Sequence, residues 1–122
     1  RRALNAYDYG DQMQIKNSVR PADAPQFVHP VVRTHPETGR KALYVNRLMT
    51  EHIVDMNPDE SDEILTMLYN HIEQPRFVYE HVWRPDDLVM WDNRCALHAR
   101  TEFDPAERRK LRRMTIKGDR PA

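Results

Sequence analysis

One histidine and two arginines in the last quarter of the chain could hold a metal ion and anionic groups. His98 follows the apolar stretch Cys95-Ala96-Leu97, and Arg109 and Arg113 come eleven and fifteen residues after it. An imidazole nitrogen is a common metal ligand, and a guanidinium can hold a carboxylate through two parallel hydrogen bonds. These three side chains are therefore the first candidates for chemistry.

Each candidate also has a purely structural interpretation. A histidine in this position can donate to a backbone carbonyl, and the basic run 108–113 can be an edge strand whose charges prevent pairing. If the run is a strand, Arg109 and Arg113 share one face and lie about 13 Å apart at most. That spacing suits two separate anionic groups. A nucleic-acid patch is a weaker interpretation, because the run contains no aromatic residue.

The composition bounds the class of protein. The 122 residues include 19 Lys plus Arg and 19 Asp plus Glu, so the net charge is zero and we expect neither a nucleic-acid nor a membrane partner. The length predicts a single domain. The one cysteine, Cys95, excludes an internal disulfide, favours the cytoplasm and is predicted to be a small core residue. Because the chain lacks an initiator methionine and begins in mid-pattern, we expect a fragment of a longer protein.

The first third of the chain predicts irregular structure followed by a hairpin. Residues 1–9 are predicted to end a helix that stops at Gly10, and residues 11–26 to form a surface connection or mobile lid. Residues 27–33 contain Pro30, which suits an edge strand. A turn at 35–40 and a buried strand at 42–45 complete the hairpin. Residues 46–56 show no clear period.

The strongest local signal is a helix that starts at Asn57. This residue can cap, Pro58 suits the first helical position, Glu60 stands where a capping box has an acid, and Pro75 prevents continuation. Apolar positions then recur at helical spacing, which predicts that the helix packs one face against a sheet. The predicted face comprises Ile64, Leu65, Met67, Leu68, His71 and Ile72.

Beyond the helix, the pattern changes to alternation with a period of two. Strands are predicted at 76–83, 88–91, 95–98 and 109–116, with a tight turn at 84–87 and a bend at 92–94. Trp83 and Trp91 are predicted to lie in the core. The fold class is mainly β with one packed helix, in antiparallel hairpins, as in a jelly roll or barrel.

Other histidines give no metal site by spacing. His71 and Glu73 are separated by two positions, which on a helix face about 200° apart, so the pair cannot chelate one ion. Glu73 is predicted to face solvent. The remaining histidines lack a partner at chelating spacing, and we predict structural or surface roles for them. They are His29, His35, His52 and His81.

Four ordered motifs resemble one known family. They are residues 29–46, the stretch 77–83, the stretch 87–94 with its Trp91-Asp92-Asn93-Arg94, and His98 followed by Arg109 and Arg113. Together they are similar to the C-terminal part of the taurine and 2,4-dichlorophenoxyacetate dioxygenases. The resemblance covers the chain from about residue 27 onward. It implies an Fe(II)- and 2-oxoglutarate-dependent enzyme on a double-stranded β-helix, or jelly roll.

The resemblance also implies a role for each motif residue. His98 matches the distal histidine of the iron site, Arg109 the arginine that pairs with 2-oxoglutarate, and Arg113 the arginine that binds an anionic substrate. The Trp91-Asp92-Asn93-Arg94 motif would fix the strand that presents His98. This sequence contains no usable copy of the family's His-x-Asp or His-x-Glu pair, which supplies the other iron ligands. We therefore expect residues 1–122 to be the C-terminal portion of one dioxygenase domain.

The implied activity is hydroxylation of a small anionic molecule, with 2-oxoglutarate converted to succinate and CO2. A sulfonate, a sulfate ester and a carboxylate all suit Arg113. Family members often form dimers or tetramers, so a homo-oligomer is also compatible with the resemblance. A second hypothesis is a non-catalytic jelly-roll module that binds an anionic ligand or partner through the same arginines. A third is a nucleic-acid module that uses the run 108–113.

Overall fold

The computed structural model describes residues 2–6, 26–104, 106 and 108–118. The described strands and helices are, in chain order, β1 (Arg2–Ala6), β2 (Gln26–Pro30), β3 (Val32–Thr34), β4 (Lys41–Leu43), β5 (Thr50–Ile53), the α-helix α1 (Pro58–Ile72) and a 3-10 turn (Pro75–Phe77). The described part is thus mainly sheet with one packed helix. None of its helices has the length and apolar character that crossing a bilayer requires.

Strand β1 lies at the centre of a three-stranded antiparallel sheet with the order β2-β1-β5. Ala3 stands opposite His29 on one side and Ile53 on the other. The predicted helix at 1–9 is therefore wrong for residues 2–6. The apolar pattern of five residues is too short to distinguish a helix from a strand. Residues 2–6 form a strand because β2 and β5 lie on either side and provide backbone hydrogen bonds. The predicted stop at Gly10 and the connection at 11–25 lie outside the described residues.

The predicted hairpin is confirmed in part: the strand predicted at 27–33 is divided into β2 and β3, which belong to different sheets, and β3 pairs with β4, with Val32 opposite Leu43. Its turn is closed by backbone bonds from the His35 amide to the Arg40 carbonyl (2.8 Å) and from the Gly39 amide to the His35 carbonyl (2.9 Å). Gly39 has a φ of 68°, a conformation in which a residue without Cβ meets no penalty. The predicted edge strand is also confirmed, because β2 lies at the edge of its sheet.

Helix α1 begins where the sequence predicts. The side chain of Asn57 accepts a hydrogen bond from the Asp59 amide (3.0 Å), and Pro58 is the first helical residue. Cap bonds of this kind satisfy an amide that would otherwise have no partner in the first turn. The helix ends at Ile72, before Pro75, and packs against β5.

The buried face of α1 differs from the predicted face in two ways. Its fully buried positions are Ser61, Leu65 and Tyr69, which repeat every four residues, whereas Met67 and His71 are exposed. Ser61 is buried because its Oγ accepts a hydrogen bond from the Ile53 amide of β5 (2.8 Å). A polar residue therefore joins helix to sheet, and apolar periodicity could not select it.

The core of the described part is small. Ala3 of β1, Val31, Val45 and Ile53 pack with Leu65 and Tyr69 of α1, and burial raises the pKa of the Tyr69 phenol. Arg47 covers this end of the helix. Its guanidinium lies 4.9 Å from the Tyr69 ring centre and donates to Glu73 (2.8 Å) and Asn70 (2.8 Å).

Residues 78–104 and 108–118 contain neither helix nor strand. The strands predicted at 76–83, 88–91, 95–98 and 109–116 are therefore not formed in this part of the chain, and 75–77 is a 3-10 turn instead. An extended segment becomes a strand only when a neighbour receives its hydrogen bonds, and no described residue does so here. The turn at 84–87 is confirmed by the bond from the Asp87 amide to the Arg84 carbonyl (3.2 Å).

The same region exposes many large apolar side chains. Trp83 and Trp91, which we predict in the core, are 42% and 37% exposed, and Cys95 is exposed as well. These three core predictions are wrong for the described structure, because no second layer covers the segment. The exposed apolar residues of this region are Val78, Tyr79, Val82, Trp83, Leu88, Met90, Trp91, Leu97, Phe103, Leu111, Met114 and Ile116.

Candidate functional site

The segment 91–98 carries the candidate metal ligand and is bent as predicted. The amides of Cys95 and Ala96 both donate to the Asp92 carbonyl (3.1 and 2.9 Å), which closes a turn at 93–95. On the near side of the turn, the Trp91 indole donates to the Asn93 side chain (2.8 Å). The turn reverses the chain so that the rings of Trp91 and His98 lie 4.7 Å apart, inclined by 45°.

Asp92 and Arg94 form a tight ion pair inside this turn. The Nε of Arg94 donates to both carboxylate oxygens of Asp92 (2.9 and 3.0 Å), Nη2 donates to Oδ2 (2.7 Å), and the Arg94 amide donates to Oδ1 (2.8 Å). The remaining terminal nitrogen of Arg94 donates to Glu37 (2.8 Å), which belongs to the β3–β4 turn. The pair therefore reaches from the turn at 93–95 to the hairpin.

His35 makes a second connection between the hairpin and the same carboxylate. Its Nε2 lies 3.1 Å from Oδ2 of Asp92, and its Nδ1 accepts from the amides of Glu37 and Thr38 (both 3.3 Å). A nitrogen that accepts hydrogen bonds carries no proton, so the neutral ring must hold its proton on Nε2 and donate it to Asp92. We call His35, Glu37, Asp92 and Arg94 the anchor cluster.

The electrostatics of the anchor cluster follow from these contacts. Hydrogen bonds from the side chain and amide of Arg94, and then from His35, hold the pKa of the Asp92 carboxyl well below its usual range. Asp92 and then Glu37 raise the pKa of Arg94. Asp92 and Arg94 therefore each favour the charged form in the folded protein.

Three side chains at this place could in principle hold a metal ion. Donor atoms of His35, Asp92 and Cys95 lie within 4.8 Å of one another, and imidazole, carboxylate and thiolate are donors that Zn²⁺ accepts. Two observations oppose a metal here. A ligating Nε2 would place the proton on Nδ1, against two amide donors, and Arg94 already neutralises Asp92. The group is better described as a hydrogen-bonded cluster.

The predicted iron ligand, His98, is exposed and lies against Trp91. Within the described ranges, His98 belongs to no group of three side chains that could hold a metal ion. Fe(II) sites of the predicted type use two histidines and one carboxylate. These residues alone therefore do not fit an iron site, although His98 can serve as one ligand of a larger one.

The two candidate arginines are exposed, and the structure places them outside any strand. The Arg109 guanidinium lies 5.4 Å from the centre of the Phe103 ring, and Arg100 lies 4.8 Å from the same ring. A ring face attracts a cation and limits where it can point. Phe103 thus orients Arg109. Arg113 is exposed and packs on no ring of the described residues, and its predicted alignment with Arg109 on one strand face is not formed here.

Two concave surfaces of the described part lie away from segment 91–98. Two shallow grooves run along α1, one lined by residues such as Thr66, Met67 and His71, the other by Arg47, Thr50 and Tyr69. Neither contains a predicted site residue. Each groove is bounded largely by one face of α1 and is open to solvent.

A second histidine–aspartate pair provides a useful comparison. The Nε2 of His81 lies 3.1 Å from Oδ2 of Asp87, the same distance as in the anchor cluster. This pair closes only the local turn, where the Arg84 amide also donates to Asp87 (2.9 Å). Elsewhere, His71 packs against Phe77 with ring centres 5.1 Å apart.

Sequence reasoning missed the role of three residues. His35 and Glu37 are more than fifty positions from the residues that they bind, and no periodicity connects such distant positions. The motifs 29–46 and 87–94 contain both halves of the contact, but their resemblance to a family says nothing about which residues pair. Phe103 could have been found as the aromatic residue between two arginines, Arg100 and Arg109.

Comparison with known proteins gives consistent matches. The sequence profile of the taurine catabolism dioxygenase TauD, TfdA family matches residues 2–115. Pentalenolactone F synthase of Streptomyces arenae is 44% identical over 104 residues, which are 85% of this chain and 35% of that protein. The alpha-ketoglutarate-dependent 2,4-dichlorophenoxyacetate dioxygenase of Burkholderia sp. is 44% identical over 96 residues, 79% of this chain and 32% of that protein.

A solved structure is also similar. The crystal structure of a protein assigned as an alpha-ketoglutarate dependent 2,4-D dioxygenase from Burkholderia xenovorans superposes with a TM-score of 0.58 at 33% identity. The match covers 77% of this chain and 37% of that one. The chain thus spans about a third of the length of the relatives that it matches.

Proposed function

The chain belongs to the taurine catabolism dioxygenase TauD, TfdA family, and from this membership we propose that it is the C-terminal part of a 2-oxoglutarate-dependent dioxygenase. The reaction would hydroxylate a small anionic molecule and release succinate and CO2. One observation carries the proposal. The family match over residues 2–115 spans His98, Arg109 and Arg113, in the order and spacing that the resemblance requires.

We propose that His98 supplies one ligand to Fe(II). The other ligands would come from outside the described residues, since these do not complete a site around His98. The Trp91 ring at 4.7 Å restricts the orientation of the imidazole, and Asp92, Asn93 and Arg94 hold the turn that joins the two rings. Contacts behind a ligand of this kind fix its direction before any metal arrives.

The arginines would bind and orient the two anions. Arg109 would pair with the distal carboxylate of 2-oxoglutarate, with Phe103 limiting the positions of its guanidinium. Arg113 would bind the sulfonate, sulfate ester or carboxylate of the substrate. A guanidinium is suited to both because it is always charged and binds planar anions bidentately. Holding both molecules at fixed positions favours reaction between them without any chemistry at the arginines.

We also propose that the extended segments within 78–118 become strands of a jelly roll. Their exposed apolar side chains, among them Val78, Val82, Leu88 and Met90, would then be covered by parts of the domain outside the described residues. Alternation of apolar residues along 77–83 suits a strand with one covered face. Burying such side chains contributes about 1.5–3 kcal/mol each.

The test uses the full-length protein with Fe(II), 2-oxoglutarate and a panel of sulfonates, sulfate esters and aryloxyacetates. Succinate formation is measured for the wild type and for His98→Ala. We expect the variant to lose succinate formation with every substrate. The matched control is His52→Ala, which removes an exposed imidazole from β5 and should leave the rate unchanged. Full activity in His98→Ala would exclude His98 as an iron ligand.

A non-catalytic module that binds an anion through the same arginines is the second candidate. One observation favours it: the described residues provide His98 without two further ligands beside it. The two candidates differ in a single measurement. A module would bind 2-oxoglutarate or a substrate anion without forming succinate, whereas an enzyme forms succinate in proportion to the substrate consumed.

A further inference from the structure

Arg33 of strand β3 is a buried cation. It is 5% exposed and is the one buried arginine of the described residues. Within the described part, its guanidinium makes neither a hydrogen bond nor an ion pair, and it lies 5.3 Å from the centre of the Tyr44 ring. We propose that Arg33 and Tyr44 form a carboxylate-binding site on the buried face of the hairpin. This site is separate from the residues to which the proposed function assigns iron, 2-oxoglutarate and the substrate.

Burial makes the present surroundings of Arg33 unfavourable without an anion. A guanidinium is always charged, and a buried charge loses its hydration unless an opposite charge or hydrogen bonds replace the water. The face of an aromatic ring replaces only part of it. Arg47 and Arg94 are ion-paired with acids although their side chains are 45% and 31% exposed. The most buried guanidinium of the described part is therefore the one that lacks a counter-charge.

The geometry of the hairpin directs Arg33 toward the interior together with Tyr44. Positions 29, 31, 33 and 35 are buried, whereas positions 32 and 34 are exposed, as expected of a chain whose side chains alternate between two faces. Arg33 pairs with Ala42 of β4, so Tyr44, two positions later, lies on the same face. The edge of the Tyr44 ring also meets His29, with ring centres 5.7 Å apart. Packing thus fixes the ring against which Arg33 lies.

The chemistry of this pair suits a carboxylate. A guanidinium presents two parallel N–H groups to the two oxygens of a planar anion. The Tyr44 hydroxyl is a further donor, and it makes no hydrogen bond within the described part. The acids that contact the hairpin turn, Glu37 and Asp92, already bind Arg94. The carboxylate therefore comes from elsewhere, either from a small molecule in solution or from an acidic side chain of the full-length protein.

The experiment uses the full-length protein with sodium acetate as the probe and sodium chloride at equal ionic strength as the reference. Thermal midpoints are recorded at rising acetate concentration for the wild type, Arg33→Met and Arg40→Met. Arg40 is the matched control, because it is an exposed arginine of the same hairpin. The double variant Arg109→Ala/Arg113→Ala is included, so that acetate bound at those two arginines is counted separately.

A small carboxylate as the partner predicts a response to acetate. Acetate should raise the midpoints of the wild type, Arg40→Met and the double variant, while Arg33→Met should bind acetate about tenfold or more weakly. Tyr44→Phe keeps the ring and should weaken acetate binding less than Arg33→Met does. In chloride, Arg33→Met should be at least as stable as the wild type, because an unpaired buried charge has been removed.

An acidic side chain of the protein as the partner predicts a different result. Acetate should then have no effect, and Arg33→Met should lower the midpoint in both salts, because it leaves a carboxylate unpaired. Asp→Asn and Glu→Gln variants outside the described residues identify the acid. For that acid alone, the loss combined with Arg33→Met should be smaller than the sum of the two single losses.

Two results would overturn the inference. In the first, Arg33→Met is as stable as the wild type and responds equally to acetate, so that the guanidinium needs no anion. In the second, Arg33→Met loses stability without any response to acetate and without coupling to any acid, so that its partners are neutral groups. Should Arg33→Met fail to fold, Arg33→Lys keeps the charge without the paired donors, and unchanged acetate binding and coupling in that variant would reject the site. Succinate formation enters none of these comparisons, so the outcome is independent of the proposed function.

Discussion

The guanidinium of Arg94 encloses the carboxylate of Asp92 two positions before it, with its closest contact at 2.7 Å from Nη2 to Oδ2. Two further bonds from Nε and one from the amide complete the enclosure, and His35 approaches from the hairpin. An aspartate in this setting favours its charged form, so folding and deprotonation of Asp92 are linked.

The lowered pKa of Asp92 predicts an acid-dependent loss of stability. Its contribution is complete above the ordinary aspartate pKa of about 4 and declines as the pH falls through the lower folded value. Asp92→Asn should therefore reduce the free energy of unfolding at pH 7, with a smaller reduction at pH 3. Denaturant unfolding of the full-length protein at both pH values measures this.

The control for this prediction is the partner, Arg94→Gln. Its effect should also be smaller at pH 3 than at pH 7, and the double variant should lose less than the sum of the two single losses, because all three variants remove the Asp92–Arg94 interaction. Additive losses, or a reduction that is equal at pH 3 and pH 7, would contradict the linkage.

Arg109 and Arg113 should affect different ligands. In the full-length protein, Arg109→Ala should raise the apparent KM for 2-oxoglutarate about tenfold or more, the effect of losing a charge-assisted hydrogen bond, while Arg113→Ala should mainly impair use of the substrate. Succinate formation is measured with each ligand varied in turn. Arg112→Ala, an exposed neighbour, is the control. Equal effects of both substitutions on both ligands would reject these roles.

The buried hydroxyl of Ser61 should contribute measurably to stability. Ser61→Ala leaves the Ile53 amide of β5 without its 2.8 Å partner in a buried site, which should cost about 1–3 kcal/mol. Thr66→Ala, at an exposed position of the same helix, should change the free energy of unfolding by less than about 0.5 kcal/mol. Equal values for the two variants would mean that the hydroxyl is not needed.

The effect of substituting Gly39 on stability should depend on the backbone conformation that the new residue prefers, and not on the size of its side chain. A Cβ there meets no heavy atom within 4 Å, but the φ of 68° is unfavourable for residues that carry one. Gly39→Ala should therefore cost about 1–2 kcal/mol, and Gly39→Asn less, because asparagine tolerates this region better. Thermal unfolding orders the variants. An alanine variant as stable as the wild type would show that the turn relaxes.

Features with local causes could be predicted from the sequence. Asn57 and Pro58 are adjacent to the helical turn that they start. Pro30 has no backbone N–H to donate, which favours an edge position for its strand, as observed for β2. Around the site, the bend at 92–94 follows from short polar residues that bond to their own backbone. Signals of this kind need only a few neighbouring residues.

Features that depend on distant partners could not be predicted. Residues 2–6 form a strand because β2 and β5 lie beside them. Residues 95–98 do not form a strand, because none of the described strands lies beside them. Likewise, the buried Ser61 hydroxyl accepts a hydrogen bond from an amide of β5. His35 contacts Asp92, which is 57 positions later in the sequence. Alternation or charge in one segment does not identify its partner.

The separation of 57 positions between His35 and Asp92 also bears on the order of folding. The Ser61–Ile53 bond spans eight positions and can form with the first turns of α1, whereas closing the longer loop costs more chain entropy and is expected late. Loss of a late contact chiefly accelerates unfolding and leaves the folding rate almost unchanged. The anchor cluster should thus determine how long segment 91–98 stays docked, more than how fast it docks.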